Sequence, residues 1–187
     1  MNDRLQISVV CSTPTHPVFA YLREWGRYDE LCTSIRELSG GDILFLVSCT
    51  EIVPASVRAL FRKTLVLHAS NLPHGRGWSP HIWQLIEGRD ELTLSLLEAE
   101  DPVDTGDIWK TTQLSFTGTE LHHEINHALF RAELELMDWA IDHFSDVVPR
   151  RQSGTTSYYP RRTPEDSRID PDLSIAEQFD LLRVSDP

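Results

Sequence analysis

No long apolar segment occurs anywhere in this sequence of 187 residues. A membrane-spanning helix needs about 20 consecutive apolar residues, and no run approaches that length. The run Ile7 to Cys11 is also too short for the core of a signal peptide, and its β-branched residues predict a first strand instead. We therefore expect a protein that neither spans a membrane nor is exported.

Cysteine is scarce as well. The three cysteines are Cys11, Cys32 and Cys49, and no two of them form a C-x-x-C pair. Such pairs are typical of zinc sites and redox-active dithiols. Two of the three could form a disulfide, but an odd, scattered set in a chain of this size is more simply explained by reduced thiols in the cytosol. We therefore expect a cytoplasmic protein.

Basic residues are in deficit. Lys and Arg number 17 against 29 Asp and Glu, which gives a net charge of -12. Broad binding to nucleic acid depends on Lys and Arg to neutralise phosphates, so this balance opposes it and argues against tRNA as a substrate. A small basic patch is still present, because Arg150-Arg151 and Arg161-Arg162 lie close together in an otherwise acidic chain.

Short apolar strands alternate with segments of helical spacing through residue 147. The predicted strands cover residues 6–11, 42–48, 64–67, 92–98 and 108–116, and the predicted helices cover residues 18–27, 28–38, 54–61 and 80–87. A last, long helix follows the capping box Thr117 to Glu120 and ends near Phe144. Such alternation predicts an α/β fold: a Rossmann-like domain with a mostly parallel sheet and helices on both faces.

The character of the chain changes at Val148. A polar connector follows, and then a short amphipathic helix from Ile175 to Arg183, for which Ser174 is the N-cap. We therefore predict a catalytic domain in residues 1–147 and a C-terminal extension in residues 148–187.

The stretch around His68 lies where an α/β fold places its active site. The predicted strand of residues 64–67 leads directly into His68, and open α/β sheets bind their ligands just beyond the carboxyl ends of strands. The loop that follows contains Gly75, Gly77 and two prolines, which allow sharp bends. A lone histidine at such a place is also compatible with an ordinary turn.

The residues after this strand carry a resemblance to a known family. His68 opens the sequence His-Ala-Ser-Asn-Leu-Pro, which continues to Gly-Arg-Gly and Pro80, and Asp104-Thr105-Gly106 follows later. These segments resemble the signature of the formyltransferases that use 10-formyltetrahydrofolate, whose usual pattern is Asn-x-His-x-Ser-x-Leu-Pro and later Asp-x-Gly. The family's Asn position is occupied here by Val66. The family usually has one more strand–helix unit before the histidine strand, so we expect a trimmed N-terminal half.

A second segment resembles one subgroup of this family. Residues 158–170 contain Arg161-Arg162-Thr163-Pro164-Glu165-Asp166, followed by Ile169-Asp170. This is similar to a segment that follows the catalytic domain in sugar N-formyltransferases. The resemblance therefore implies an N-formyltransferase that uses 10-formyltetrahydrofolate, with the amine of a nucleotide-linked amino sugar as acceptor and a homodimer as a possible assembly. Two alternatives remain open: transfer to another small amine such as a hydroxyornithine, and a non-catalytic homologue that binds folate or a nucleotide sugar.

The resemblance also implies roles for individual residues. His68 and Asp104 would form the catalytic pair. Because Val66 cannot supply the family's oxyanion donor, we expect Asn71, a backbone N–H or an ordered water to take that role. The residues expected to bind the folate are Glu51, Ile52, Val53, Asp101 and Asp104. The residues expected to bind the acceptor are Arg76, Gly77, Trp78, Arg150, Tyr158, Tyr159, Arg161 and Arg162. Arginine suits the phosphates of a nucleotide because its planar group forms paired hydrogen bonds with oxyanions.

A competing motif lies in the long predicted helix. His123-Glu124-Ile125-Asn126-His127 matches the H-E-x-x-H pattern of zinc proteases. The apolar stripe of this helix is centred nearly opposite His123 and His127, so the pair should face water. A zinc protease needs these histidines in a cleft together with a third ligand. We therefore expect no metal.

Overall fold

The structure is a computed structural model that describes residues 4–185. Its strands are β1 (Ile7–Val10), β2 (Glu30–Cys32), β3 (Gly41–Leu46), β4 (Phe61–His68), β5 (Arg76–Gly77), β6 (Glu91–Glu98), β7 (Ile108–Ser115) and β8 (Tyr158–Tyr159). Its α-helices are α1 (Val18–Trp25), α2 (Ala55–Arg58), α3 (Pro80–Ile86), α4 (His122–Asp142) and α5 (Phe179–Arg183). Short 3-10 helices cover Ile35–Glu37, Pro164–Ser167 and Ala176–Gln178.

A central sheet of six strands has the order β2-β1-β3-β4-β6-β7. The first four strands are parallel, whereas β6 runs antiparallel to β4, and β7 runs antiparallel to β6. This mostly parallel sheet with helices confirms the predicted Rossmann-like fold class. The prediction that His68 lies at the carboxyl end of its strand is also confirmed, because His68 is the last residue of β4.

Both faces of the sheet are covered. On one face, Val9, Phe45 and Leu65 pack together with Leu22 of α1 and Leu129 of α4. On the other face, inward residues of the parallel strands pack against α2 and the 3-10 turn, in a second cluster that includes Val10, Leu44, Leu46, Val53 and Phe61. Burial on both faces explains why the β3 sequence is almost continuously apolar.

The predicted helix over residues 28–38 is wrong. Glu30–Cys32 instead forms β2, a strand at the edge of the sheet whose residues pair with Ser8, Val9 and Val10. The rest of the segment is a single 3-10 turn at Ile35–Glu37. Three strands therefore precede β4, not two as predicted, so the strand expected to be missing from this half is present.

The long helix α4 has the predicted orientation. Ile125, Leu129 and Leu136 are buried, while His123 and His127 are exposed. Within residues 4–185, no group of three or more His, Cys, Asp or Glu side chains is arranged to hold a metal ion. The same part of the chain contains no helix that is long and apolar enough to cross a membrane, and its three cysteines are free thiols.

One buried residue on α4 is acidic. Glu133 is only 8% exposed, and its Oε2 atom has no hydrogen-bond partner in the structure. Burial raises the pKa of Glu133 to about 8, because an ionised carboxylate loses its hydration inside the protein. Glu133 is therefore mostly protonated and uncharged at neutral pH.

Candidate active site

The structure brings His68 and Asp104 together. The Nδ1 atom of His68 lies 3.6 Å from Oδ1 of Asp104, and each side chain is 7% exposed. His68 reaches this point from the end of β4, and Asp104 from the loop between β6 and β7, because β6 is the neighbour of β4 in the sheet. The two residues are 36 positions apart in the sequence and meet only through this strand order.

The second ring nitrogen of His68 also faces an oxygen. Nε2 lies 2.9 Å from the backbone oxygen of Gly75. A carbonyl oxygen can only accept, so Nε2 carries the proton of this hydrogen bond. With the Asp104 carboxylate beside Nδ1, the ring has an oxygen on both sides, which fixes its orientation. A histidine oriented in this way suits proton transfer to and from a substrate.

Asp104 is held from several directions. Its Oδ2 accepts a hydrogen bond of 2.9 Å from the Gly77 backbone N–H. The side-chain amide of Gln152 donates to the backbone oxygens of Asp104 and Gly106, both at 2.9 Å. The other end of the Gln152 amide accepts from Arg76 at 2.7 Å. Gln152 thus ties the Asp104 loop to the loop after His68, and sequence reasoning missed it because an isolated glutamine in a polar connector gives no signal.

The residue two positions after Asp104 is a glycine, Gly106, for a steric reason. A Cβ atom at Gly106 would lie 1.9 Å from the backbone oxygen of Glu98, where β6 ends. The absence of a side chain therefore lets the loop fold back against β6 and bring Asp104 to His68.

We expect Gly106→Ala to destabilise the protein by at least about 2 kcal/mol and to abolish activity, because the loop must move away from rigid backbone. Thermal unfolding and a transfer assay measure the two effects. Gly118→Ala is a suitable comparison, since its added Cβ meets nothing closer than 3.5 Å, although that glycine also has a positive φ. Equal losses in both variants would contradict the explanation by steric contact.

His81, the second residue of α3, adds an uncharged imidazole near His68. Burial, and after it the charges of His68, His122 and His16, lower its pKa from 6.5 to about 4. At neutral pH the ring is therefore uncharged and adds no positive charge beside His68.

Two positions bear on the oxyanion donor: Val66, where the family has Asn, and Asn71, the candidate predicted from the sequence. Val66 lies on the same face of β4 as His68 and packs against Leu72, Leu97 and Ile108, so it offers no polar group. Asn71 is exposed in the loop after His68, and its backbone oxygen accepts from the His74 N–H at 3.1 Å. The carboxamide of Asn71 is thus open to solvent at the rim of the site.

The loops expected to bind folate are joined by Arg58. Its Nη1 donates to the Val53 backbone oxygen at 2.7 Å, and its Nη2 to Asp101 at 2.6 Å. This contact lowers the pKa of Asp101 through the hydrogen bond and the charge of Arg58. Two apolar side chains on these loops are open to solvent, with Ile52 74% and Val103 59% exposed. Such a surface suits a flat aromatic ligand.

Two of the predicted folate residues have internal contacts instead. The Glu51 carboxylate accepts from the backbone N–H of Ile35 at 2.7 Å and from the Ser34 hydroxyl at 3.1 Å. The Val53 side chain is buried in the core. These contacts hold the loop, and Ile52 is its most exposed side chain. The folate roles of Glu51 and Val53 stay predictions.

An aromatic and cationic surface lies next to Asp104. The Tyr158 ring covers Gly77, where an added Cβ would lie 2.8 Å from it, yet Tyr158 remains 65% exposed. Trp78 follows directly, and the guanidinium of Arg161 stands 5.0 Å from its ring centre. Cation–π contact of this kind holds an arginine in place while its N–H groups stay available.

The other predicted acceptor residues are engaged within the protein. Tyr159 stacks on Trp83 and donates to Glu87 at 2.9 Å. Arg162 donates to the Asp166 backbone and the Ser167 hydroxyl, and Arg76 binds Gln152. Arg150 is exposed, and its backbone pairs with Ile108 at the start of β7. Among the predicted acceptor residues, Trp78, Tyr158, Arg150 and Arg161 are exposed and open to a ligand.

A family model described as "Formyl transferase" matches residues 10–141, which is most of the chain. A methionyl-tRNA formyltransferase from Geobacter metallireducens is 29% identical over 148 residues, covering 77% of this chain and 47% of that protein. The chain thus spans about half the length of this curated relative.

Solved structures share the fold. A methionyl-tRNA formyltransferase from Clostridium thermocellum superposes with a TM-score of 0.81 at 22% identity, covering 98% of this chain and 84% of that one. HypX from Aquifex aeolicus, solved with tetrahydrofolic acid, gives 0.77 at 18% identity over 98% of this chain and 35% of that one. A sugar N-formyltransferase from a Shewanella species gives 0.69 at 12% identity over 96% and 87%.

Proposed function

The chain belongs to the formyl transferase family, and from this premise we propose that it transfers a formyl group from 10-formyltetrahydrofolate to the amine of a nucleotide-linked amino sugar. The observation that carries the proposal is the meeting of His68 and Asp104 at the carboxyl edge of the sheet. Further support comes from the exposed apolar residues on the Arg58-linked loops, which fit a folate.

The reaction requires a balanced movement of protons. When bound, the folate supplies a formyl group carried on its N10 atom. The acceptor amine forms a bond to the formyl carbon and loses a proton, while N10 gains a proton as its bond to that carbon breaks. An imidazole can both accept and release a proton near neutral pH. His68 is proposed to make these transfers.

Asp104 would support His68 in this role. Its carboxylate beside Nδ1 stabilises the imidazolium and fixes the direction of the ring, as in other His–Asp pairs. The Gly77 N–H and Gln152 keep the carboxylate and its loop in place. Asn71 is proposed to donate to the formyl oxygen from the rim, since its carboxamide is exposed there.

The acceptor class follows from the exposed surface beside the pair. Arg161 and Arg150 supply positive charge for a diphosphate, and the faces of Tyr158 and Trp78 can stack on a base. The net charge of -12 disfavours a tRNA acceptor. A structure with the same fold is a sugar N-formyltransferase. We also propose a cytoplasmic location, because the three cysteines are free thiols, and a homodimer, which the resemblance to sugar N-formyltransferases implies.

A panel of acceptors tests this proposal. Release of tetrahydrofolate should be seen with one or more nucleotide-linked amino sugars, and not with a hydroxyornithine or methionyl-tRNA. Turnover confined to either of the latter would overturn the acceptor class. Failure to release tetrahydrofolate with every acceptor, together with intact folate binding, would favour the non-catalytic alternative.

Arg161→Ala should raise the KM for the amino-sugar nucleotide by about 10-fold or more and leave the KM for the folate unchanged, because one hydrogen-bonded charge on the phosphates is lost. Steady-state kinetics with each substrate varied in turn measures both values. Arg131→Ala, at an exposed position of α4, is the matched control and should change neither. A rise in the KM for the folate alone would indicate that Arg161 binds the folate and would contradict this prediction.

A further inference from the structure

Ser157, in the C-terminal extension, is hydrogen-bonded to the loop that follows His68. Its Oγ accepts from the Gly75 N–H at 2.8 Å, and its backbone oxygen accepts from the Arg76 N–H at 3.0 Å. Its own N–H donates to the Pro73 oxygen at 3.4 Å. A single half-buried residue of the extension therefore holds three residues of this loop.

Gly75 connects Ser157 to the imidazole. The Gly75 oxygen accepts from Nε2 of His68 at 2.9 Å, in a buried contact. The residue that Ser157 holds by its N–H is thus the residue that holds the ring by its carbonyl. Glycine has no side chain and a wide choice of backbone conformations, so hydrogen bonds must set the position of this carbonyl. The orientation of His68 therefore depends on a hydroxyl of the C-terminal extension.

The same loop also holds the other member of the proposed pair. Three successive N–H groups, in residues 75–77, donate in turn to the Ser157 side chain, the Ser157 backbone and the Asp104 carboxylate. Gln152 supports the aspartate side of the pair from the same extension. Ser157 gives the histidine side the equivalent support.

We propose that Ser157 is a positioning residue for formyl transfer, which holds Gly75 and so keeps the His68 ring in the orientation that exchanges a proton with the substrate. This inference rests on the proposed function. Proton transfer requires a fixed geometry of donor and acceptor, so a ring that turns among several orientations reacts only part of the time. A displacement of about 1 Å near a reacting group can cost as much as about 100-fold in rate. The extension thus contributes to the chemical step as well as to the proposed acceptor surface.

The variant Ser157→Ala tests the proposal, since it removes the hydroxyl and leaves the backbone hydrogen bonds of the residue in place. We expect kcat to fall by about 10-fold, with the KM for the folate unchanged, because the loss concerns the orientation of a reacting group and not substrate binding. Ser157→Thr retains an acceptor for the Gly75 N–H and should restore most of the wild-type kcat. Thr156→Ala, which removes an exposed hydroxyl from the preceding residue, is the matched control and should have wild-type kcat.

The Nε2 proton of His68 gives a readout of orientation that does not depend on turnover. Because this proton is buried and bonded to Gly75, it should exchange slowly with water and give a resolved proton NMR signal, which His68→Ala identifies by its loss. We expect the signal to broaden or vanish in Ser157→Ala and to persist in Thr156→Ala. A purely structural role, which lowers stability without freeing the ring, would leave the signal in place.

The outcomes separate this role from the proposed function. An active wild type with undiminished kcat in Ser157→Ala, an equal loss in Thr156→Ala, or an unchanged His68 signal in Ser157→Ala would overturn the role of Ser157 alone. The same holds if Ser157→Thr loses as much kcat as Ser157→Ala. A wild type that releases no tetrahydrofolate with any acceptor would overturn the proposed function, and the role of Ser157 with it.

Discussion

Replacing His68 by alanine is expected to lower kcat for formyl transfer by about 10³-fold or more, because it removes the group proposed to move the proton between the amine and N10. The residual rate would come from binding the two substrates side by side. Single-turnover and steady-state measurements of tetrahydrofolate release give this loss directly. The KM values should change much less than kcat, since the proton is transferred only during reaction.

Two further variants separate chemistry from structure. Asp104→Asn keeps an oxygen for the Gly77 N–H but removes the charge beside His68, and we expect a loss of about 10²-fold in kcat. His123→Ala removes an exposed histidine from α4 and should have wild-type kinetics. Turnover close to that of the wild type in the His68→Ala variant, with the fold intact, would refute the enzyme assignment.

The second large effect concerns stability. Glu133→Gln should stabilise the protein by about 2–3 kcal/mol at pH 7, because the wild type must bury a group that is ionised in the unfolded chain. The pKa of Glu133 is raised from 4.5 to about 8 in the folded state. Between those values the unfolded state loses a proton that the folded state retains, so the stability of the wild type falls as pH rises.

The pH dependence gives the sharper test of Glu133. Below the unfolded value of 4.5 both states are protonated, and the variant and wild type should unfold alike. The advantage of the variant should then grow up to about pH 8 and level off, where the folded state ionises as well. Chemical denaturation at pH 5 and pH 8 measures it. The exposed Glu135→Gln on the same helix is the control, and a pH-independent difference for Glu133→Gln would contradict the explanation.

The main features of the fold were predictable because they depend on local patterns. Apolar runs marked β3, β4 and β6, and helical spacing marked α4. The strand β2 was not predictable, because three residues are too few to show a period and their conformation is fixed by pairing with β1. The sequence likewise gave no sign that β6 runs antiparallel to β4, since strand direction depends on how the connections cross the sheet.

The candidate site was predictable only through residues with distinctive chemistry. His68 and Asp104 stood out by type and by the motifs around them, and the structure places them in contact range. Gln152 is a common polar residue in an irregular segment, so its place beside Asp104 became visible only with the hydrogen bonds in hand. The burial of Glu133 could have been predicted from the sequence, because Glu133 lies four residues from both Leu129 and Met137 on the buried stripe of α4.

The contact of the C-terminal segment with the loops that carry Asp104 and Arg76 matters for any exchange of acceptor specificity between relatives. Gln152 braces the Asp104 loop, and a few residues later Tyr158 and Tyr159 pair with Arg76 and Gly77. A graft that replaces the chain from the end of α4 would therefore remove a support of the Asp104 loop together with the proposed acceptor surface. A chimera joined after Ser157 keeps that support, and its altered selectivity can then be interpreted separately from its rate.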